Sequence, residues 1–112
     1  MNSTTLNTEI LIIGGGPAGY AAGIYASRAG RKTTILEGRG RSRLAVGYSL
    51  ENYPGFISID SGELLRSFRA HAEHFGAELL AEEAIDFNLT GQTKSVVTRE
   101  HLYEAKALIL AT

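Results

Sequence analysis

The residues with the clearest chemical potential are glycines. Gly14-x-Gly16-x-x-Gly19 directly follows the apolar run Ile10-Leu11-Ile12-Ile13, and Glu37 stands eighteen residues beyond Gly19. This spacing suits phosphate binding. Gly14 permits a tight turn, Gly16 lets backbone approach a pyrophosphate, and Gly19 lets a following helix pack close to the sheet. A helix opening at Pro17 and Ala18 would present unsatisfied N–H groups and the positive end of its dipole to the phosphates. Glu37 can accept hydrogen bonds from ribose hydroxyls. Its charge would repel a 2′-phosphate, which favours an unphosphorylated ADP moiety such as that of FAD or NAD. A loop that merely turned the chain would need neither the spaced third glycine nor the distal acid. These residues alone do not separate FAD from NAD.

Such chemistry requires a β-α-β unit to carry it, and the pattern supplies one. Residues 10–13 read as a strand buried on both faces. Small residues from Ala18 to Ala29 read as a helix closing at Gly30, and residues 32–37 as a second, parallel strand reached by a right-handed crossover. Residues 1–8 show no hydrophobic period and are expected to be a flexible leader, so that the domain runs over 9–112. Asp60 and Glu63 have capping-box spacing ahead of Leu64, Leu65, Phe68, Ala72 and Phe75, which predicts an amphipathic helix ending at Gly76. Glu78-Leu79-Leu80 reads as a third parallel strand. The alternation of Ile85, Phe87 and Leu89, the turn Thr90-Gly91-Gln92, and residues 95–99 and 101–106 predict a small antiparallel meander. Residues 107–111 read as a buried apolar run returning to the central sheet. The expected class is therefore α/β: a Rossmann-like fold with a parallel central sheet and an inserted antiparallel β-meander.

The chain has 112 residues, 11 Lys+Arg against 12 Asp+Glu, and no cysteine. One domain is the most this length holds. A formal charge of −1 excludes the global electrostatic footprint of a nucleic-acid binder. Without cysteine the chain does no thiol chemistry itself. No apolar run is long enough for a signal peptide or a membrane span, so neither membrane nor nucleic acid is expected as a partner, and the chain reads as unprocessed and cytoplasmic. His71 and His74 lie three apart on the predicted helix, but no third ligand is near in sequence and no metal site is expected. Ser27, Ser42 and Ser49 lack triad spacing, so no catalytic residue is assigned.

The run Gly14-Gly15-Gly16-Pro17-Ala18-Gly19, the motif Glu51-Asn52-Tyr53-Pro54-Gly55-Phe56, the stretch His74-Phe75-Gly76-Ala77-Glu78 and the closing Ala107-Leu108-Ile109-Leu110-Ala111-Thr112 carry a resemblance. Over nearly its whole length the chain resembles the low-molecular-weight thioredoxin reductases, class II of the pyridine nucleotide-disulphide oxidoreductases. The resemblance implies a Rossmann-like FAD-binding fold in which Glu37, with Gly38 beside it, binds the adenosine ribose. It places Asn52-Tyr53-Pro54 close to the flavin and backbone near Ala84, Ala111 and Thr112 along the cofactor. The family's Gly-Gly-Gln-Leu loop falls on Arg41-Ser42-Arg43-Leu44, where only the leucine matches. Arg43 and Leu44 are FAD contacts on this reading, although the arginines also suit a solvated basic loop or an RG-type nucleic-acid patch.

The resemblance further implies that the chain is the first third of a longer protein, a partial domain lacking the nicotinamide domain with its Cys-x-x-Cys and the closing FAD segment. In that parent, hydride would pass from NAD(P)H through FAD to a disulphide of a thioredoxin-like or other redox protein, and the full-length protein would be a homodimer. This chain alone would hold FAD weakly and be inactive. Two alternatives are a ferredoxin-NADP reductase-like flavoprotein without a dithiol, and a non-catalytic nucleotide-binding module in which Arg41-Ser42-Arg43 abolishes FAD binding.

Overall fold

The computed structural model describes residues 4–40 and 47–112. In chain order these form β1 (Thr4–Ile13), α1 (Pro17–Arg28), β2 (Thr33–Leu36), β3 (Ser49–Leu50), β4 (Ile59–Asp60), α2 (Ser61–His74), β5 (Glu78–Leu80), β6 (Asp86–Asn88), β7 (Lys94–Val97) and β8 (His101–Leu110). Six strands make one sheet in the order β5-β2-β1-β8-β7-β6, with β3 and β4 paired separately. Pairing is parallel from β5 through β2 and β1 to β8, and antiparallel from β8 through β7 to β6. The mixed α/β class read from the sequence is thus observed. The meander is not a detached sheet, because β8 belongs to both parts.

Leu11, Ile12, Ile35 and Leu36 are buried, as expected of strands covered on two faces. On one face Ile12 and Ile35 pack with Tyr20 of α1 and Ala72 of α2. On the other, Leu11, Ile13 and Leu36 pack with Val96 of β7 and Tyr103 and Ala105 of β8. The meander therefore covers the sheet face that the helices leave bare. α2 begins at the predicted cap: the Asp60 carboxylate accepts a hydrogen bond from the Glu63 N–H at 3.1 Å.

Two expectations need correction. Residues 4–8 are not a flexible leader but the first half of β1, paired with the start of β8 from Thr4 opposite His101 to Thr8 opposite Ala105. Leu6 packs against the core on the meander side, and Thr8 adds polar contacts: Thr34 Oγ1 donates to Thr8 Oγ1 at 3.0 Å, and Thr8 Oγ1 donates to the Lys32 carbonyl at 3.0 Å. A reading of apolar period does not see hydroxyl pairing. Residues 107–111 do return to the sheet beside β1, but they are not a buried run; Ile109 is 37% and Leu110 59% exposed. β7 accompanies β8 only from Leu102 to Ala105, so beyond Ala105 this strand is paired along one edge alone. Alternation likewise located β6, yet Ile85, Phe87 and Leu89 around it stay exposed. Among the described residues, no helix is long and apolar enough to cross a membrane.

Candidate functional site

β2 lies on one side of β1 and β8 on the other, all three parallel, so the strand order reverses at β1, and open α/β sheets place their ligand crevice at the carboxyl ends of the strands at such a point. A cleft of about 700 Å³ opens there, with Gly14 to Ala18, Glu37, Gly38, Ala84, Ala111 and Thr112 on its walls. Backbone bonds lace its floor. The Gly14 N–H donates to Leu36 O at 3.0 Å, Glu37 N–H to Leu80 O at 2.8 Å, Gly38 N–H to Glu82 O at 3.1 Å, and Ala111 N–H to Ile13 O at 2.8 Å. Each loop that follows a parallel strand is thereby tied to its neighbour.

The glycine turn is tight because backbone approaches backbone. Gly14 has φ +135°, and a Cβ there would lie 2.2 Å from the Ala111 carbonyl oxygen. A Cβ on Gly19 would lie 1.9 Å from the Gly14 carbonyl oxygen, so α1 starts directly against the end of β1. The close helix-to-strand contact continues at Gly23, beside the Ile35 side chain. Gly16 is the N-cap of α1 and offers no side-chain cap, Pro17 follows at N1, and the first turn has no acidic residue. The N–H groups of Ala18 and Gly19 receive no acceptor from the cap, and the positive end of the helix dipole faces the cleft unneutralised by its own first turn.

Glu37 sits at the rim between α1 and α2. Arg69 grips its carboxylate with both forks, Nε to Oε2 at 2.7 Å and a terminal nitrogen to Oε1 at 3.1 Å, and the Tyr20 hydroxyl donates to Oε2 at 2.5 Å. Burial raises the Glu37 pKa, but the hydrogen bonds from Arg69 and Tyr20 and the charge of Arg69 outweigh it, leaving the carboxyl below its ordinary value of 4.5. Burial and the adjacent carboxylate together push the Tyr20 phenol upward.

Of the residues singled out from sequence, Gly14, Gly16, Pro17, Ala18, Glu37, Gly38, Ala84, Ala111 and Thr112 come together in this one cleft. Gly19 lies immediately behind it. Asn52 is exposed and does not line it. The adjoining turn, closed by the Phe56 N–H on Tyr53 O at 3.2 Å, sets the Tyr53 ring against Phe68 of α2. Tyr53 lines a second groove, of about 670 Å³, that shares Pro17 and Ala18 with the cleft. Arg43 and Leu44, with the rest of Arg41-Ser42-Arg43, lie outside the described residues. The rings of His71 and His74 pack on Phe75.

Several cleft residues carry no site role in the sequence reading. A Cβ on Gly15 would stand 3.0 Å from the Glu37 carbonyl oxygen, so the middle glycine of the triplet is needed where β2 ends. Glu82 and Glu83 also line the cleft. Their signal was present: two acids one residue beyond a parallel strand stand at its carboxyl end, where ligands bind. The Glu82 carboxylate accepts from Thr98 Oγ1 at 2.8 Å and contacts His101 Nδ1 at 3.0 Å. Burial raises its pKa, and the hydrogen bonds from His101, Thr98 and Tyr103 more than offset that and leave it lowered. Tyr20 and Arg69 carry no comparable signal, since Arg69 is thirty-two residues from Glu37.

Comparison with known proteins follows the same outline. Residues 8–112 match the pyridine nucleotide-disulphide oxidoreductase family. The chain is 44% identical over 106 residues to the bifunctional thioredoxin reductase/thioredoxin of Mycobacterium leprae, covering 92% of this chain and 23% of that protein. It is 40% identical over 108 residues to thioredoxin reductase of Streptomyces coelicolor, covering 93% and 34%. The solved thioredoxin reductase from Giardia duodenalis superposes with a TM-score of 0.91 at 38% identity, over 96% of this chain and 36% of that one. The chain therefore spans roughly a quarter to a third of the length of the curated relatives it matches.

Proposed function

The chain belongs to the pyridine nucleotide-disulphide oxidoreductase family, and from that premise we propose that it is the FAD-binding portion of a thioredoxin-reductase-like flavoprotein. The observation that carries the reading is the cleft at the reversal point. Its glycine turn is so close-packed that a Cβ at Gly14 or Gly19 would collide with backbone, and its far rim ends in a carboxylate. This cradle fits the ADP half of FAD. The turn and the opening of α1 hold the pyrophosphate, Glu37 accepts from the adenosine ribose with Gly38 beside it, and the backbone at Ala84, Ala111 and Thr112 borders the rest of the cofactor. When bound, the flavin supplies a two-electron relay between a nicotinamide donor and a disulphide.

The role of this chain is to bind and orient. It has no cysteine, so the dithiol of such an enzyme belongs to the remainder of the protein, as do the NAD(P)H site and the surface for a thioredoxin-like partner. On this reading the domain is partial, the full-length protein works as a homodimer in the cytoplasm, and the 112-residue chain holds FAD weakly and turns nothing over.

The test is direct titration of the chain with FAD, followed by flavin fluorescence. We expect saturable binding that Gly16→Val abolishes and that Glu37→Ala weakens by about 1–3 kcal/mol, the usual range for a hydrogen bond to a charged group. FAD affinity unchanged in both variants would falsify the reading.

A further inference from the structure

We propose that Arg69 and Tyr20 are positioning residues for the nucleotide: they fix the Glu37 carboxylate from the helix side and leave one acceptor position for a ribose hydroxyl on the cleft side. The inference rests on the adenine-nucleotide reading of the cleft and adds to it two residues that do not line the cleft themselves. A carboxylate has about four lone-pair sites. Arg69 takes one on each oxygen, and Tyr20 takes the second on Oε2, so the remaining one lies on Oε1. Glu37 lines the cleft, whereas Tyr20 reaches it from α1 and Arg69 from α2. With its side chain only 14% exposed, Glu37 meets the ligand in one orientation instead of searching among rotamers.

Charge argues in the same direction. Glu37, Glu82 and Glu83 all line a cleft that would take an anionic diphosphate. Glu82 is matched by Thr98 and His101, and the Glu83 carboxylate accepts from the Arg39 N–H. Arg69 cancels the negative charge of Glu37 without entering the cleft. Removing it would free the carboxylate, leave an uncompensated anion near the phosphates and raise the Glu37 pKa. The first two weaken binding at neutral pH, and the third narrows the pH range over which Glu37 is ionised. The charged and titratable groups that bear on Glu37 are Tyr20 from α1 and Arg69 from α2, with Glu73 acting on Arg69; Glu82 and Glu83, from the segment after β5, line the same cleft, with His101 behind Glu82.

The experiment measures ADP affinity of the chain by calorimetry across pH, beside thermal melting. Arg69→Gln is expected to weaken ADP roughly tenfold at neutral pH, the scale of one charge-assisted hydrogen bond. Glu37 must be ionised to accept most strongly, so the fall in affinity on acidification should set in at higher pH in Arg69→Gln than in the parent chain. Arg69→Lys should restore part of the affinity, because an ammonium keeps the charge but not the fork. In a chain that already carries Glu37→Gln, adding Arg69→Gln should leave the pH profile unchanged, which separates this effect from titration of ADP itself. If Arg69→Gln does not fold, Tyr20→Phe carries the test, with an expected loss of about threefold and the same direction of pH shift. Parent-like affinity and pH profile in these variants, or a lower melting temperature with both unchanged, would overturn the positioning role alone. Failure of the parent chain to bind ADP or FAD at all would instead overturn the nucleotide reading, and this proposal with it.

Discussion

The unit β1–α1–β2 and the extension β6–β7–β8 are held together by different physics. In the first, Leu11, Ile12, Ile35 and Leu36 are each at most 1% exposed, and the turn at the end of β1 is closed by backbone against backbone. In the second, Phe87, Val97, Ile109 and Leu110 are all at least 37% exposed, and the buried groups beside it include a carboxylate held by Thr98 and His101. Apolar burial and steric closeness write themselves into local sequence as runs and glycines. Polar pairing between residues such as Glu82 and His101, nineteen positions apart, does not. The two regions meet at Tyr103 and Val96, which cover the helix-free face of the first.

The largest effect that would test this contrast is steric. Gly19→Ala places a methyl where only 1.9 Å separates it from a carbonyl oxygen, and the atom it meets is backbone that β1 holds in place. We expect a loss of about 3 kcal/mol or more, the upper range for forced overpacking, read as a reduced urea midpoint or failure to fold. Gly23→Ala is the control. Its methyl would meet Ile35 Cδ1 at 2.5 Å, the movable end of a side chain, so about 1 kcal/mol is expected. Equal effects from both would show that the turn is no more rigid than a packed side chain.

Next in size is the polar counterpart in the second region. Glu82→Ala removes the carboxylate that Thr98 and His101 share beside the buried Tyr103, for an expected loss of about 2 kcal/mol. The native-state pKa of Glu82 is lowered, so its stabilisation is fully present above the ordinary carboxylate value of 4.5 and is lost as pH falls through the lower folded value. Unfolding of the parent chain followed across that acid range should therefore show a decline that is shallower in Glu82→Gln. Identical acid profiles would mean that the Glu82 network contributes no pH-dependent stability.

These sizes explain what was legible in the sequence. That Gly14, Gly16 and Glu37 share one cleft, with Gly19 packed behind it, could be read because a tight strand-to-helix turn within one β-α-β unit constrains residues close together in the chain, and Asp60 with Glu63 because a helix cap is local. Thr8 with Thr34, Glu37 with Arg69, and Glu82 with His101 could not, since each pairing depends on the completed topology. Burial of residues 107–111 was misjudged for a related reason: an apolar run identifies a strand, but only its neighbours decide whether it is covered.

A smaller effect comes from the cap, which belongs to neither region and calibrates both. Asp60→Ala removes the acceptor for the Glu63 N–H and should lower stability by about 1 kcal/mol, checked by thermal unfolding. FAD affinity should not change, because Asp60 does not line the cleft. Lost affinity at full occupancy of the folded state would connect α2 to the site more tightly than its contact through Arg69 implies.

The smallest expected effect concerns the ion pair that by position joins the two regions. Arg39, in the loop after β2, reaches Glu100, at the turn between β7 and β8, with a nitrogen-to-oxygen distance of 2.5 Å. Both side chains are open to water, at 60% and 33% exposure. An exposed pair gains little Coulomb energy in a high dielectric, loses side-chain freedom on forming, and is screened by salt. The regions have firmer connections in the Gly38 N–H on Glu82 O and in Val96 and Tyr103 packed on Leu11. A double-mutant cycle of Arg39→Gln and Glu100→Gln should accordingly give a coupling of about 0.5 kcal/mol or less, shrinking further at high salt. A coupling above about 1 kcal/mol that survives high salt would exceed the usual range for exposed pairs. It would mean that surface charge, and not buried packing with a backbone bond, fixes the meander against the cleft.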